Sequence, residues 1–221
     1  MARQPDPELE QRILNAASRL WARGGEKALT MRGVAEAAGT TTPTVYERYR
    51  DRDDILRALR LKTRREMFAA LSRTRTVRQA VECKLQFALD HSHAYQMLMD
   101  GVATPPSLHE PWPSFNLMRE RLAAYLGGTP RQHTRLTLAV WSLTYGTAML
   151  IIRGCFRGEL RTQALHACLD TLEAVLECAR TKHYVPSGPQ WPSNLVLGEG
   201  RQSRVDNGRG SKGKARRRLR R

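Results

Sequence analysis

The chain lacks long apolar runs. Its longest, Leu136 to Ile152, has no charge between Arg135 and Arg153, but it is shorter than the ~20 residues of a membrane-spanning helix and holds Thr137, Ser142, Thr144, Tyr145, Gly146 and Thr147. A buried core or interface helix is expected there, and no membrane role. The opening MARQPDPELEQ lacks the apolar core of a secretory leader, so the expected location is the cytoplasm. Sustained period-2 alternation is also missing, which leaves no signal for β-strands. The four cysteines, Cys83, Cys155, Cys168 and Cys178, form no C-x-x-C pair, and no histidine stands at zinc-finger spacing from them. They are expected to pack as small hydrophobes on apolar helical faces. His91 and His93 are two apart and would point to different sides of a helix, so no metal site is expected. Ser/His/Asp logic, a phosphate-binding glycine loop and paired catalytic carboxylates are missing too. The expectation is a protein without cofactor that is not an enzyme.

Acids are scarce as well. Asp and Glu total 21 against 37 Lys and Arg, a net charge of +16 over 221 residues. Such an excess points to a polyanion partner. The charge is uneven: Arg201 to Arg221 holds ten basic residues and one acid, Asp206, so +9 lies there and +7 in the rest. From Pro186 onward proline, glycine, serine and arginine dominate. Such a segment cannot bury enough apolar surface to offset its ordering entropy, so 186–221 reads as a disordered basic tail.

What is present is helical signal. Asp6-Pro7 reads as an N-cap followed by proline in the first turn. The stripe Leu9, Ile13, Ala16, Ala17 and Leu20 follows, and Gly24-Gly25 is expected to end it. Thr30 caps a short helix to Ala38, and another is expected from Thr42 to Tyr49. Asp51 caps a fourth, and Thr76 with Gln79 forms a capping box for a fifth, expected to run to Asp100. The stretch Gly101–Pro113 holds four prolines and reads as a loop. Helices are expected over Ser114–Leu126, from Thr129-Pro130 to Arg153, and over Arg161–His183. The division predicted is 1–50, 51–185 and the tail.

The segment MRGVAEAAGTTTPTVYERY, Met31 to Tyr49, carries the most specific pattern. Ala35 is small enough for a second helix to cross closely. Gly39 supplies the positive φ of a sharp turn. Val45 is the apolar residue that locks the pair. This is helix-turn-helix spacing, in which the second helix enters the DNA major groove. Thr41 or Thr42 can cap that helix, and Pro43 sits in its first turn, where a missing N–H costs little.

LTMRGVAEAAGTTTPTVYERYRDRDDILRAL, Leu29 to Leu59, closely resembles the DNA-binding segment of TetR-family transcriptional regulators. Thr30, Arg32, Val34, Ala35, Gly39, Val45, Tyr46, Arg52 and Ile55 match, while Tyr49 replaces the usual phenylalanine. The piece Trp141 to Gly146 looks like the W-x-x-x-H-G signature of one C-terminal domain type in that family, with Tyr145 in place of histidine. The resemblance implies an all-α protein: an N-terminal three-helix helix-turn-helix domain plus a larger C-terminal helical ligand-binding and dimerisation domain. It implies a homodimeric regulator, a repressor, that binds a palindromic operator on double-stranded DNA and responds to an unknown small-molecule effector. Arg32, Thr41, Thr42, Pro43, Thr44, Tyr46, Glu47, Arg48 and Arg52 are the expected DNA contacts. Tyr95, Met99, Met118, Trp141 and Tyr145 are large, soft side chains that could line an effector pocket, against the plainer reading of core packing. The apolar faces of the last two helices exceed what a monomer needs and suggest a two-fold four-helix dimer. The alternative is a non-specific polyanion binder dominated by its tail.

Overall fold

A computed structural model describes residues 7–100 and 113–181. The expected Asp6 cap, the loop over 101–112 and the basic tail lie outside them. Regular structure in the described residues is entirely helical: α1 Pro7–Ala28, α2 Met31–Ala38, α3 Thr42–Tyr46, α4 Arg52–Ser72, α5 Val77–Asp90, α6 Ser92–Asp100, α7 Pro113–Leu126, a 3₁₀ turn Pro130–His133, α8 Thr134–Ile152 and α9 Glu159–Thr181. Four of the helices, α2 to α5, begin where a side-chain oxygen satisfies a backbone N–H group that has no intrahelical partner. Thr30 accepts from Gly33, Thr41 from Thr44 and Asp51 from Asp54. Thr76 and Gln79 form the reciprocal capping box at the start of α5. Each such cap stabilises its helix by about 1 kcal/mol.

The described residues bury two apolar cores. One gathers Ile13, Ala16 and Ala17 of α1, Val34 and Ala35 of α2, Val45, Tyr49, and Ile55, Leu56 and Leu59 from the first half of α4, with Met97 of α6. The other takes Met67 and Leu71 from the second half of α4, then Val81 and Leu85 of α5, Tyr95 and Leu98 of α6, Leu122 of α7, Val140 and Met149 of α8, and Leu172 and Leu176 of α9. Fully burying each large side chain stabilises by about 1.5–3 kcal/mol. The helix that starts at Arg52 therefore does not divide the two units. It threads both cores, and so does the short α6.

Four expectations need correction. First, α3 ends at Tyr46, not Tyr49: Arg48 and Tyr49 both donate to the Val45 carbonyl, and the Arg50 N–H is drawn to the Asp54 carboxylate at 3.1 Å. Glu47 and Arg48 thus lie just past the helix. Second, the helix expected to run from Thr76 to Asp100 breaks at His91 (φ −122°, ψ 47°). Tertiary contacts set that break. The Trp21 indole N–H donates to the His93 carbonyl at 2.8 Å, and the His93 ring Nδ1 meets the Ala22 carbonyl at 2.9 Å. Third, regular helical geometry in α1 is interrupted at Gly25 (φ 58°, ψ −138°), as the glycine pair suggests, but helix resumes to Ala28. A Cβ at Gly25 would also stand 3.5 Å from the His93 ring. Fourth, Cys168 is buried and Cys83 half-buried, but Cys155 and Cys178 are exposed. Cys155 falls in the turn after α8 and Cys178 on the outer side of α9, away from Leu172 and Leu176.

Pro130–Ile152 is apolar and long enough to cross a bilayer by composition. Here Leu136, Val140, Ala148 and Met149 turn inward to the second core, while Leu138, Tyr145 and Leu150 face outward.

Candidate nucleic-acid interface and inner cavity

The turn between α2 and α3 is built as its residues require. Gly39 closes α2 in the left-handed conformation (φ 65°, ψ 40°), its N–H bonded back to Glu36. A Cβ there would meet nothing within 4 Å, so backbone conformation, not crowding, selects glycine. Ala35 and Val45 are buried at the crossing. Thr41 and Thr44 are linked through their hydroxyls at 2.8 Å, and Pro43 sits in the first turn.

Outward from this frame stand most of the expected contact residues. Arg32, Thr41, Pro43, Tyr46 and Glu47 are exposed, and Thr42, Thr44 and Arg48 half-buried. Tyr46 is 53% exposed, so its ring is not core. The adjacent Tyr49 is its opposite: buried, with its pKa pushed up to about 12, first by burial and then by the Glu10 and Asp54 carboxylates. Its hydroxyl has no hydrogen-bond partner among the described residues. Arg52 is already engaged, its guanidinium 2.7 Å from the Glu26 carboxylate on α1. Asp51 and Asp54 are held below the usual carboxylate range, each chiefly by a backbone N–H, from Asp54 and Arg50 respectively. They stay ionised and keep the start of α4 in place.

The second core holds a cavity of about 90 Å³. Met67 and Leu71 of α4, Leu98 and Met99 of α6, Phe115 and Met118 of α7, and Val140 and Trp141 of α8 form its apolar wall. Of the five residues expected to line a pocket, Met99, Met118 and Trp141 do so. Tyr95 does not: it is fully buried in the core, its pKa raised by burial. Tyr145 does not either: it faces outward, 37% exposed. Two cationic residues that the sequence reading passed over do reach the cavity, Lys84 of α5 and Arg64 of α4. The signal for Lys84 was available: it follows Val77, Ala80 and Val81 by seven, four and three positions, on the apolar stripe of α5.

Residues 13–59 match the family model described as "Bacterial regulatory proteins, tetR family", and residues 77–181 match "Tetracyclin repressor-like, C-terminal domain". The chain belongs to the TetR family of DNA-binding transcriptional regulators. Solved structures agree at the level of fold. A TetR-family transcriptional regulator from Streptomyces coelicolor is 19% identical over 87% of this chain and 96% of that one, with a TM-score of 0.60. TetR from Acinetobacter baumannii AYE is 16% identical over 81% and 98%, TM-score 0.59. A protein of unknown function from Rhodococcus sp. RHA1 is 20% identical over 79% and 98%, TM-score 0.62. No curated protein matches this TetR-family chain.

Proposed function

We propose that this TetR-family regulator is a repressor that works in the cytoplasm as a homodimer on a palindromic operator and is released by a small molecule bound in the inner cavity, without turnover of its own. The observation that carries the ligand response is the sharing of α4 and α6 between the two cores. On α6, Leu98 and Met99 face the cavity, while Met97 packs in the head core and His93 is tied to α1. On α4, Arg64, Met67 and Leu71 border the cavity, and Ile55, Leu56 and Leu59 pack under the helix-turn-helix. Whatever fills the cavity presses on helices whose other ends position the head. The effector must bind one head arrangement better than the other, since equal affinity shifts nothing.

The dimer reading rests on the outer sides of α8 and α9. Leu138, Tyr145 and Leu150 on α8 and Leu160 and Val175 on α9 are exposed apolar side chains. Exposed small residues, Ala139, Ser142, Ala167 and Ala174, accompany them and allow close helix approach. A two-fold pair places two α3 helices on successive major-groove turns. On each, Thr41, Thr42, Pro43, Thr44, Glu47 and Arg48 would meet base edges or phosphates. Arg32, Tyr46 and Arg52 would hold the backbone.

The test is selection of bound sequences from a random DNA pool by the intact chain and by Tyr46→Ala. A palindrome enriched by the intact chain and lost in the variant supports the reading. A featureless, salt-sensitive pool from both proteins sinks it and moves non-specific polyanion binding by the tail to first place.

A further inference from the structure

The chemical class of the effector can be read from the cavity, on the premise that the cavity is the effector site. The Lys84 ammonium stands 5.2 Å from the centroid of the Trp141 ring, in a space walled largely by apolar side chains. Thr137 and Thr144 contribute hydroxyls, but these donate to the His133 and Val140 carbonyls of their own helix at 2.8 and 2.6 Å. Among the described residues no carboxylate forms an ion pair with Lys84. The residue as a whole is half-buried, but desolvation of its ammonium holds its pKa down at about 7, and among the described residues no neighbouring charge offsets that cost. The ring face beneath it offsets only part of the desolvation. When protonated, a lysine so placed is a cation without a counter-ion among the described residues.

Three kinds of small ligand could enter. A cation would meet like charge from Lys84 and from Arg64. A neutral apolar molecule would fill the space and bury the ammonium further without pairing it. An anion with an apolar body satisfies both the lysine and the wall, and a carboxylate is the simplest head that can take a charge-assisted hydrogen bond from an ammonium. We propose that the cavity binds a small amphipathic carboxylate, its acid head paired with Lys84 and its aliphatic or aromatic body against Phe115, Met118 and Trp141.

The test is calorimetric titration of the full-length protein with phenylacetate, 3-phenylpropionate and octanoate, each beside its neutral primary amide. At least one acid should bind about tenfold or more tighter than its amide. Lys84→Met should erase that preference, and Lys84→Arg should retain it in part. Thermal melts confirm that each variant is folded, with Lys84→Gln as a second neutral replacement. Amides that bind as well as the acids overturn the proposal. So does a preference that survives in Lys84→Met, and so does absence of binding by all three acids. Release of the selected operator is measured in parallel. An acid that binds through Lys84 but leaves DNA bound keeps the assignment and sinks the ligand-responsive reading. Release by neutral or cationic compounds alone does the reverse.

Discussion

The outer face of the α2–α3 turn and the inner cavity hold their polar groups by different means. At the turn, the hydroxyls of Thr41 and Thr44 bond to each other, the Thr41 hydroxyl also accepts from the Thr44 backbone N–H, and Tyr46 is open to solvent. Keeping polar groups in water carries little penalty, and each contact with DNA adds modestly and is screened by salt. In the cavity one ammonium sits among apolar walls, set there by α4, α6, α7 and α8 together. Its desolvation weakens the empty protein, and the same desolvation strengthens its pairing with an anion. The head therefore spreads recognition over many exposed groups, and the cavity concentrates it in one half-buried group whose ammonium is desolvated.

The contrast can be broken most severely from inside the head. Val45 is fully buried beneath the recognition helix. Val45→Asp places an unpaired carboxylate there and should destabilise the head by roughly 3–5 kcal/mol, abolishing operator binding. Urea denaturation and a DNA mobility shift check both. Retention of DNA binding would mean that α3 does not depend on this core contact.

The next effect has the opposite sign. Lys84→Met should stabilise the empty protein, because it removes a charge that burial disfavours. The folded pKa is about 7 against an ordinary 10.5. Below pH 7 both folded and unfolded wild type carry the proton, so the full penalty applies. Between about pH 7 and 10.5 the unfolded chain holds one more proton than the folded one, and wild-type stability rises with pH, by at most about 1.4 kcal/mol per unit. The advantage of the methionine is thus greatest near pH 6 and shrinks toward pH 10. Paired urea melts at pH 6, 8 and 9.5 read it, since other titrations cancel in the difference. A variant less stable than wild type at pH 6 would show that Lys84 already has a partner.

The same contrast explains what could be read in advance. The turn was legible because its determinants are local: Ala35, Gly39 and Val45 act within ten residues, and the caps at Thr30, Asp51 and Thr76 act within three. The break at His91 was not, because Trp21 and Ala22 hold His93 from about 70 positions away. Side-chain direction was equally hidden. Tyr95 and Trp141 are both large aromatics on helices, yet only Trp141 reaches the cavity, and only packing decides which. Lys84 stood in an apolar stripe in plain view. A lysine there usually snorkels to solvent, and its confinement becomes evident only once α7 and α8 are in place.

The smallest expected effect concerns Arg52, where the head's open surface borrows one feature of the interior, an ion pair. Arg52 bonds to Glu26 at 2.7 Å, with side chains 37% and 74% exposed. An exposed pair of this kind contributes about 0.2–1 kcal/mol, so Glu26→Gln should change stability little. Its consequence for DNA should be clearer. With the carboxylate gone, the Arg52 guanidinium at the first turn of α4 is free to take a phosphate, and a negative charge near the DNA is removed. Affinity for the selected operator should rise a few-fold at low salt, and the salt dependence should steepen by about one counterion. Arg52→Ala should remove the gain in the double variant. Affinity and salt slope both unchanged in Glu26→Gln would assign Arg52 to holding α4 against α1, and would leave Arg32 and Tyr46 as the backbone contacts of the head.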